Sequence, residues 1–202
     1  DEECGGDDGQ RAFNGCIGVA VSDSGDPTEW EMRRPILDGA CVDQELERPH
    51  LVVDDGRYYL FTSSHEHTFA PGLRGFDGLY GFVADSLRGD YEPLNDSGLV
   101  VANPANAPFQ AYSWLAYDHG NDLLVTSFFN YYDLGDRYRD EVGHLHPDAQ
   151  REKFGGTLAP TLRIELRGER TRIRGTLDHG HLPLEREALP PTDPLAETQP
   201  PN

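Results

Sequence analysis

The densest run of reactive side chains in the sequence is Asp43-Gln44-Glu45-Leu46-Glu47-Arg48-Pro49-His50, directly before a stretch with strand character. In an extended chain, side chains alternate between faces, so Glu45 and Glu47 fall on one side. Two adjacent carboxylates resist ionising together, which pushes one toward its neutral form. A neutral carboxylic acid near about pH 6 can serve as a general acid. Arg48 stands where its guanidinium could orient one of the pair. The same spacing fits a solvated acidic turn, and the pattern by itself leaves both readings open.

Three His-x-His pairs follow: His65/His67, His144/His146 and His179/His181. A shared metal would require them to converge. The last two pairs fall in expected loops, so solvated or pocket-lining imidazoles are the simpler reading and no metal is expected. No Gly-rich phosphate loop, G-x-S-x-G elbow or H-E-x-x-H occurs, and no cofactor is expected. Tyr58, Tyr59, Phe61, Tyr80, Phe82, Tyr112 and Trp114 could form sugar-stacking walls or fill a core. Asn95-Asp96-Ser97 matches a glycosylation sequon, a pattern frequent by chance.

The elements that must position these residues read as β throughout. Pro49–Val53 and Arg57–Ser63 flank Asp54-Asp55-Gly56, a hairpin signal. Tyr112–Tyr117 and Leu123–Phe129 flank a second turn at 118–122, and Thr157–Leu166 and Thr171–Gly175 a third at 167–170. Cys16–Ser22, Glu29–Met32, Leu79–Ala84 and Gly98–Ala102 are further short strands. No segment of helical length has a 3.6-residue apolar period. Asp54–Ser63 resembles Asp118–Ser127, as hairpins of successive propeller blades would; a β-sandwich has similar hairpins. Residues 1–15 read as an N-terminal loop and 133–155 as a charged surface loop. The Pro-rich segment 185–202 reads as a disordered tail.

Composition limits the partners. The 202 residues hold 36 acidic and 17 basic side chains, a net charge of −19. Phosphate recognition needs a basic face, so nucleic acid is excluded as a partner, and an anionic membrane surface with it. No apolar run approaches the ~18 residues of a membrane span. No signal peptide is visible, but the chain opens at Asp1, which leaves an upstream segment open. Lys153 is the single lysine. That balance suits high salt, where screening relieves self-repulsion, and it equally fits an acidic protein from a GC-rich genome. Cys4, Cys16 and Cys41 allow a Cys4–Cys16 or a Cys16–Cys41 disulfide with one thiol left over.

The stretch Glu45-Leu46-Glu47-Arg48-Pro49-His50, then Asp55-Gly56-Arg57-Tyr58-Tyr59-Leu60-Phe61-Thr62, resembles the E-x-E-R…G-K-Y-Y-L-F-T region of glycoside hydrolase family 68, the levansucrases, inulosucrases and related β-fructofuranosidases. Ser64-His65 and Phe76–Val83 are similar to the family's Gram-negative branch. Pro93-Leu94-Asn95, Ser97–Val100, Tyr112-Ser113, Leu124–Phe128 and Phe154–Thr161 follow in family order. The resemblance covers about residues 16–184.

It implies an all-β fold, part of a five-bladed β-propeller at residues 16–184, and an extracellular enzyme acting on sucrose and fructan acceptors through a fructosyl-enzyme intermediate. Glu47 matches the general acid/base and Glu45 the carboxylate that binds sugar beside it. Arg48 and Tyr112 match substrate-binding positions. His65 stands where Gram-positive members carry Arg, at the glucose or acceptor subsite. The family's nucleophilic Asp lies in a W-D-x-W-like motif and its stabilising Asp in R-D-P, both N-terminal to the acid/base; neither motif occurs here. Asp43, Asp77 and Asp118 lack those contexts. Gln44 replaces a calcium-ligating Asp of Gram-positive members. The expectation is therefore the C-terminal half of a levansucrase-type enzyme, inactive without a missing N-terminal half. The alternatives are a non-catalytic sugar-binding remnant and half of a sucrose hydrolase.

Overall fold

Two-residue turns crease the chain into antiparallel hairpins where the Asp/Gly signals predict. A computed structural model describes residues 13–183, apart from 121, 133 and 135–138. Cys4, most of the expected N-terminal loop and the expected 185–202 tail lie outside the described residues. Strands β1 (Cys16–Ile17), β2 (Ala20–Val21), β3 (Glu31–Met32) and β4 (Leu37–Asp38) form two short ribbons, β1 with β4 and β2 with β3. The expected Cys16–Ser22 strand is thus two pieces broken around Gly18. Cys16 carries a free, exposed thiol, and Cys41 is disulfide-bonded with a partner outside the described residues. Neither of the two pairings through Cys16 forms.

The first sheet holds β5 (Glu47–Asp54), β6 (Arg57–Ser64), β7 (Gly78–Ala84), β8 (Glu92–Pro93) and β9 (Leu99–Ala102). Both β8 and β9 pair with the same edge of β7, β8 opposite Phe82 and Val83, β9 opposite Gly78 to Tyr80. They act as one outer strand interrupted by a 3-10 turn at Leu94–Asp96. The second sheet runs β10 (Ala111–His119), β11 (Asp122–Phe129), β12 (Pro160–Arg167), β13 (Arg170–His179) in that order. The β5–β6 turn puts Asp55 and Gly56 at φ +46° and +75°, the paired positive values of a type I′ hairpin. The two segments that read alike in sequence hold equal places: each is the turn and second strand of its sheet's first hairpin.

Between β11 and β12 the sequence predicts a loop. The structure instead has two helices there, α1 (Arg139–Val142) and α2 (Pro147–Lys153). Neither is long enough to write an apolar period. Local chemistry makes α2: Pro147 opens it, and the His146 ring accepts from Asp148 N.

One core joins the sheets. Val52, Tyr59, Phe61, Leu79, Val83, Leu94 and Val101 of the first sheet pack in one cluster with Trp114, Ala116, Leu123, Val125 and Ile164 of the second. Of the aromatic candidates, Tyr59, Phe61 and Trp114 are spent there, and Tyr80 is buried outside that cluster, against Phe69. Burial pushes the Tyr80 phenol up to about 12. Polar clips reinforce the junction. Asn95 Nδ2 donates to Leu99 O at 2.8 Å and Thr171 Oγ1 at 2.7 Å, and its Oδ1 accepts from Thr171 N at 2.9 Å. The amide of the Asn95-Asp96-Ser97 sequon is therefore engaged in fastening one sheet to the next.

His50 is a second clip. Its Nδ1 donates to Arg48 O at 2.9 Å, which leaves Nε2 to accept from Ala116 N at 2.8 Å. Burial holds its pKa below the ordinary imidazole value of 6.5. As pH falls through that value the unfolded chain takes up a proton that folded His50 resists, so stability is lost on the acid side. His50→Gln can keep both hydrogen bonds without titrating. The stability advantage of wild type over His50→Gln, read from urea unfolding, is expected to shrink from pH 7.5 to 5.5. An advantage that is flat or grows toward acid would contradict this role.

Candidate functional site

The acidic run that opens β5 is tied down residue by residue. Asp43 is 2 % exposed. Its Oδ1 accepts from Glu45 N at 3.1 Å, and its carbonyl accepts from Gly15 N at 2.8 Å. Gln44 N donates to Thr68 O at 2.9 Å, and Thr62 Oγ1 donates to Glu47 O at 2.8 Å. Ser64 Oγ sits against both Asp43 Oδ2 and Glu45 O, so its single proton serves one of the two. Glu45 and Glu47 are half-buried rather than free in water. A solvated acidic turn does not describe this segment. Asp43, read from sequence only as one more acidic neighbour, is its buried anchor.

Two irregularities shape the site. The β5–β6 register shifts between Glu47 and His50, with Arg48 at φ +52°. The β10–β11 register shifts between Tyr112 and Leu115, with Ser113 at φ +60°. Each is a bulge near the start of the first strand of its sheet, a device that re-aims side chains. The two bulges meet: Arg48 Nη1 donates to Ser113 Oγ. The orienting bond from Arg48 to a carboxylate is not what forms. Among the described residues Arg48 reaches Ser113 on the neighbouring sheet and pairs with neither Glu45 nor Glu47.

Tyr112, beside Ser113, lies flat on His65, ring centroids 4.2 Å apart and planes at 11°. His65 follows the last residue of β6, and its Nδ1 lies 3.2 Å from Asp77 Oδ2. His67 is 5.1 Å from His65, ring to ring. Glu45, Glu47, Arg48, His65 and Tyr112 thus gather where β5, β7 and β10 begin and β6 ends. Among the described residues no three His, Cys, Asp or Glu side chains cluster as a metal site.

Two hydroxyls in this neighbourhood are buried without a hydrogen-bond partner among the described residues, Ser63 Oγ and Tyr112 Oη. Ser63 pairs with Glu47 in the β5–β6 ladder, so both side chains leave the same face of the sheet. Unsatisfied buried hydroxyls cost about 1–3 kcal/mol each. Both belong to the group of carboxylates, imidazole and aromatic face described above, and neither hydroxyl is open to solvent. Ser63, Asp77 and Ser113 were invisible as site residues in the sequence. Serine and aspartate are common there, and what singles these out is burial, register and backbone conformation.

The profile of the levansucrase/invertase family matches residues 3–183. Levansucrase Lscbeta of Pseudomonas syringae pv. actinidiae is 41% identical over 179 residues, which are 89% of this chain and 38% of that protein. The levansucrase of Erwinia amylovora is 42% identical, again over 89% of this chain and 39% of its own length. Among solved structures, the inulosucrase from Halalkalicoccus jeotgali bound to kestose superimposes with a TM-score of 0.84 at 67% identity, covering 87% of this chain and 43% of that one. The levansucrase from Gluconacetobacter diazotrophicus gives a TM-score of 0.67 at 30% identity, covering 83% and 35%. The chain spans about two fifths of the length of the curated relatives it matches.

Proposed function

The chain belongs to the levansucrase/invertase family, glycoside hydrolase family 68, and from that premise we propose that it is the acid/base-bearing C-terminal portion of a fructosyltransferase acting on sucrose. The observation that carries the reading is the convergence of Glu45, Glu47, Arg48, His65 and Tyr112 at one end of two packed sheets. In this reading Glu47 delivers a proton to the glucosyl oxygen as the bond to the fructosyl carbon breaks. It then takes a proton from the acceptor hydroxyl that attacks the fructosyl-enzyme intermediate. Glu45 holds the sugar beside it, and His65 and Tyr112 line the glucose or acceptor side. The aspartate that forms the covalent bond belongs to an N-terminal portion.

The two sheets are then blades of a five-bladed propeller. Their surface fits that reading. Along β5, Val52 enters the core while Leu51 and Val53 stay 39 % and 51 % exposed on the other face, where a preceding blade would pack. Relatives named levansucrase and inulosucrase support transfer, and the solved β-fructofuranosidase of Microbacterium saccharophilum K-1 keeps hydrolysis as the alternative reaction of the same site. The bonded Cys41 fits an extracellular, oxidising setting.

The test is complementation. The purified 202-residue chain, the uncovered N-terminal portion of the Halalkalicoccus jeotgali inulosucrase, and the two together are each given sucrose, and glucose release is followed. Only the mixture is expected to turn over, at a rate on the order of 1 s⁻¹. Release at that rate by the chain alone would show that it holds its own nucleophile. A mixture that assembles by size-exclusion chromatography yet stays inert would favour a sugar-binding remnant.

A further inference from the structure

We infer that Asp77 is the positioning residue that fixes how His65 meets the carbohydrate, holding the proton on Nδ1 so that Nε2 is left as a hydrogen-bond acceptor. The inference rests on the reading of His65 as a sugar-side residue and adds to it the chemistry by which the ring selects its partner, a donating hydroxyl.

The geometry is closed on the Asp77 side. Asp77 is 3 % exposed, and its two oxygens are both used. Oδ1 accepts from Glu66 N at 2.7 Å and Oδ2 faces His65 Nδ1 at 3.2 Å. An ionised carboxylate can only accept, so the nitrogen facing it carries the hydrogen. In the neutral ring that leaves Nε2 with a lone pair. The orientation is held at both ends. Ser64 pairs with Gly78 in the β6–β7 ladder, which sets the residues next to each, His65 and Asp77, side by side. On its other edge Gly78 lets β9 approach closely: a Cβ built there would lie 2.4 Å from Val101 O. The His65 carbonyl accepts from Thr68 Oγ1 at 2.8 Å, and Tyr112 covers a face of the ring. The imidazole is fixed in plane by Asp77 and in tilt by Tyr112.

The consequence is a division of labour. Glu47 gives and takes protons, whereas His65 offers an acceptor to a sugar hydroxyl and needs no charge to do so. An arginine at this place would offer donors alone, so the Asp77–His65 pair inverts the hydrogen-bond polarity of the subsite relative to a guanidinium.

Imidazole nitrogen resonances of the ¹⁵N-labelled 202-residue chain at about pH 8, well above the ordinary imidazole pKa, report the tautomer directly. The His65 signals are identified by their loss in His65→Gln. The wild type is expected to show a protonated Nδ1 and a bare Nε2. Asp77→Asn keeps an acceptor for Glu66 N but can turn an N–H toward Nδ1, so the ring is expected to move partly or fully to the Nε2–H form. A proton on Nε2 in the wild type overturns the inference, as does a tautomer unchanged in a folded Asp77→Asn. Should that variant not fold, the wild-type spectrum decides alone. Adding sucrose or fructose to the labelled chain assembled with the N-terminal portion of the Halalkalicoccus jeotgali inulosucrase separates the two readings. If the tautomer is as stated but neither sugar moves the His65 signals, the Asp77 assignment stands and the sugar-side placement of His65 fails.

Discussion

In an enzyme completed with the N-terminal portion of a relative, Glu47→Gln is expected to lower kcat on sucrose by about 10²–10⁴-fold, the usual contribution of a general acid/base. Glutamine keeps the shape of the side chain and can hydrogen-bond, so sucrose should still bind and KM should change little. It cannot deliver a proton to the departing glucosyl oxygen. The Glu47 backbone is secured independently, through Thr62 Oγ1 and the ladder to Ser63, so the amide should sit where the acid sat. Steady-state kinetics of the two completed enzymes check this. A loss that falls mainly in KM would mean that Glu47 binds sugar rather than moving protons.

The largest expected effect on stability is at Trp114. Its side chain is 2 % exposed in the cluster that both sheets share. Trp114→Ala is expected to cost about 3–5 kcal/mol, as for other buried aromatics cut to alanine. Against a typical total of about 5–15 kcal/mol, that is a large share of what holds the fold. Urea unfolding of the 202-residue chain measures it. The ring also meets Tyr112 edge-on at 5.9 Å, so the change should loosen the surface against which His65 is stacked. A midpoint that hardly moves would mean that the two sheets do not depend on a common core.

The hairpins were legible because their turns need particular residues. Asp55-Gly56 and Gly168 sit at positive φ between alternating strands, and the sequence shows them as Asp-Gly and Arg-Gly-Glu signals. The likeness of 54–63 to 118–127 was legible for the same reason, as one hairpin used twice. What stayed hidden depended on contacts between distant residues. The helix Pro147–Lys153 has no apolar stripe and arises from its cap. The bulges at Arg48 and Ser113 place non-glycine residues at positive φ, which no local pattern demands. Asp77 stands twelve residues from His65 and becomes its partner only through the β6–β7 register. Asp43 looked like part of a reactive acidic cluster, yet it is the buried anchor that lets Glu45 and Glu47 stand at the strand entrance.

If Glu47 rather than Glu45 is the proton donor, the two glutamine variants must differ in how they respond to the leaving group. An activated fructosyl donor, whose leaving group departs with little protonation, tests it most directly. In the completed enzyme Glu47→Gln should be severely slowed on sucrose and recover much of the first step on the activated donor. Glu45→Gln should show a raised KM on both substrates and gain no such recovery. The reverse pattern, with Glu47→Gln near normal on sucrose and Glu45→Gln dead on sucrose but rescued by the activated donor, would place the acid on the other carboxylate.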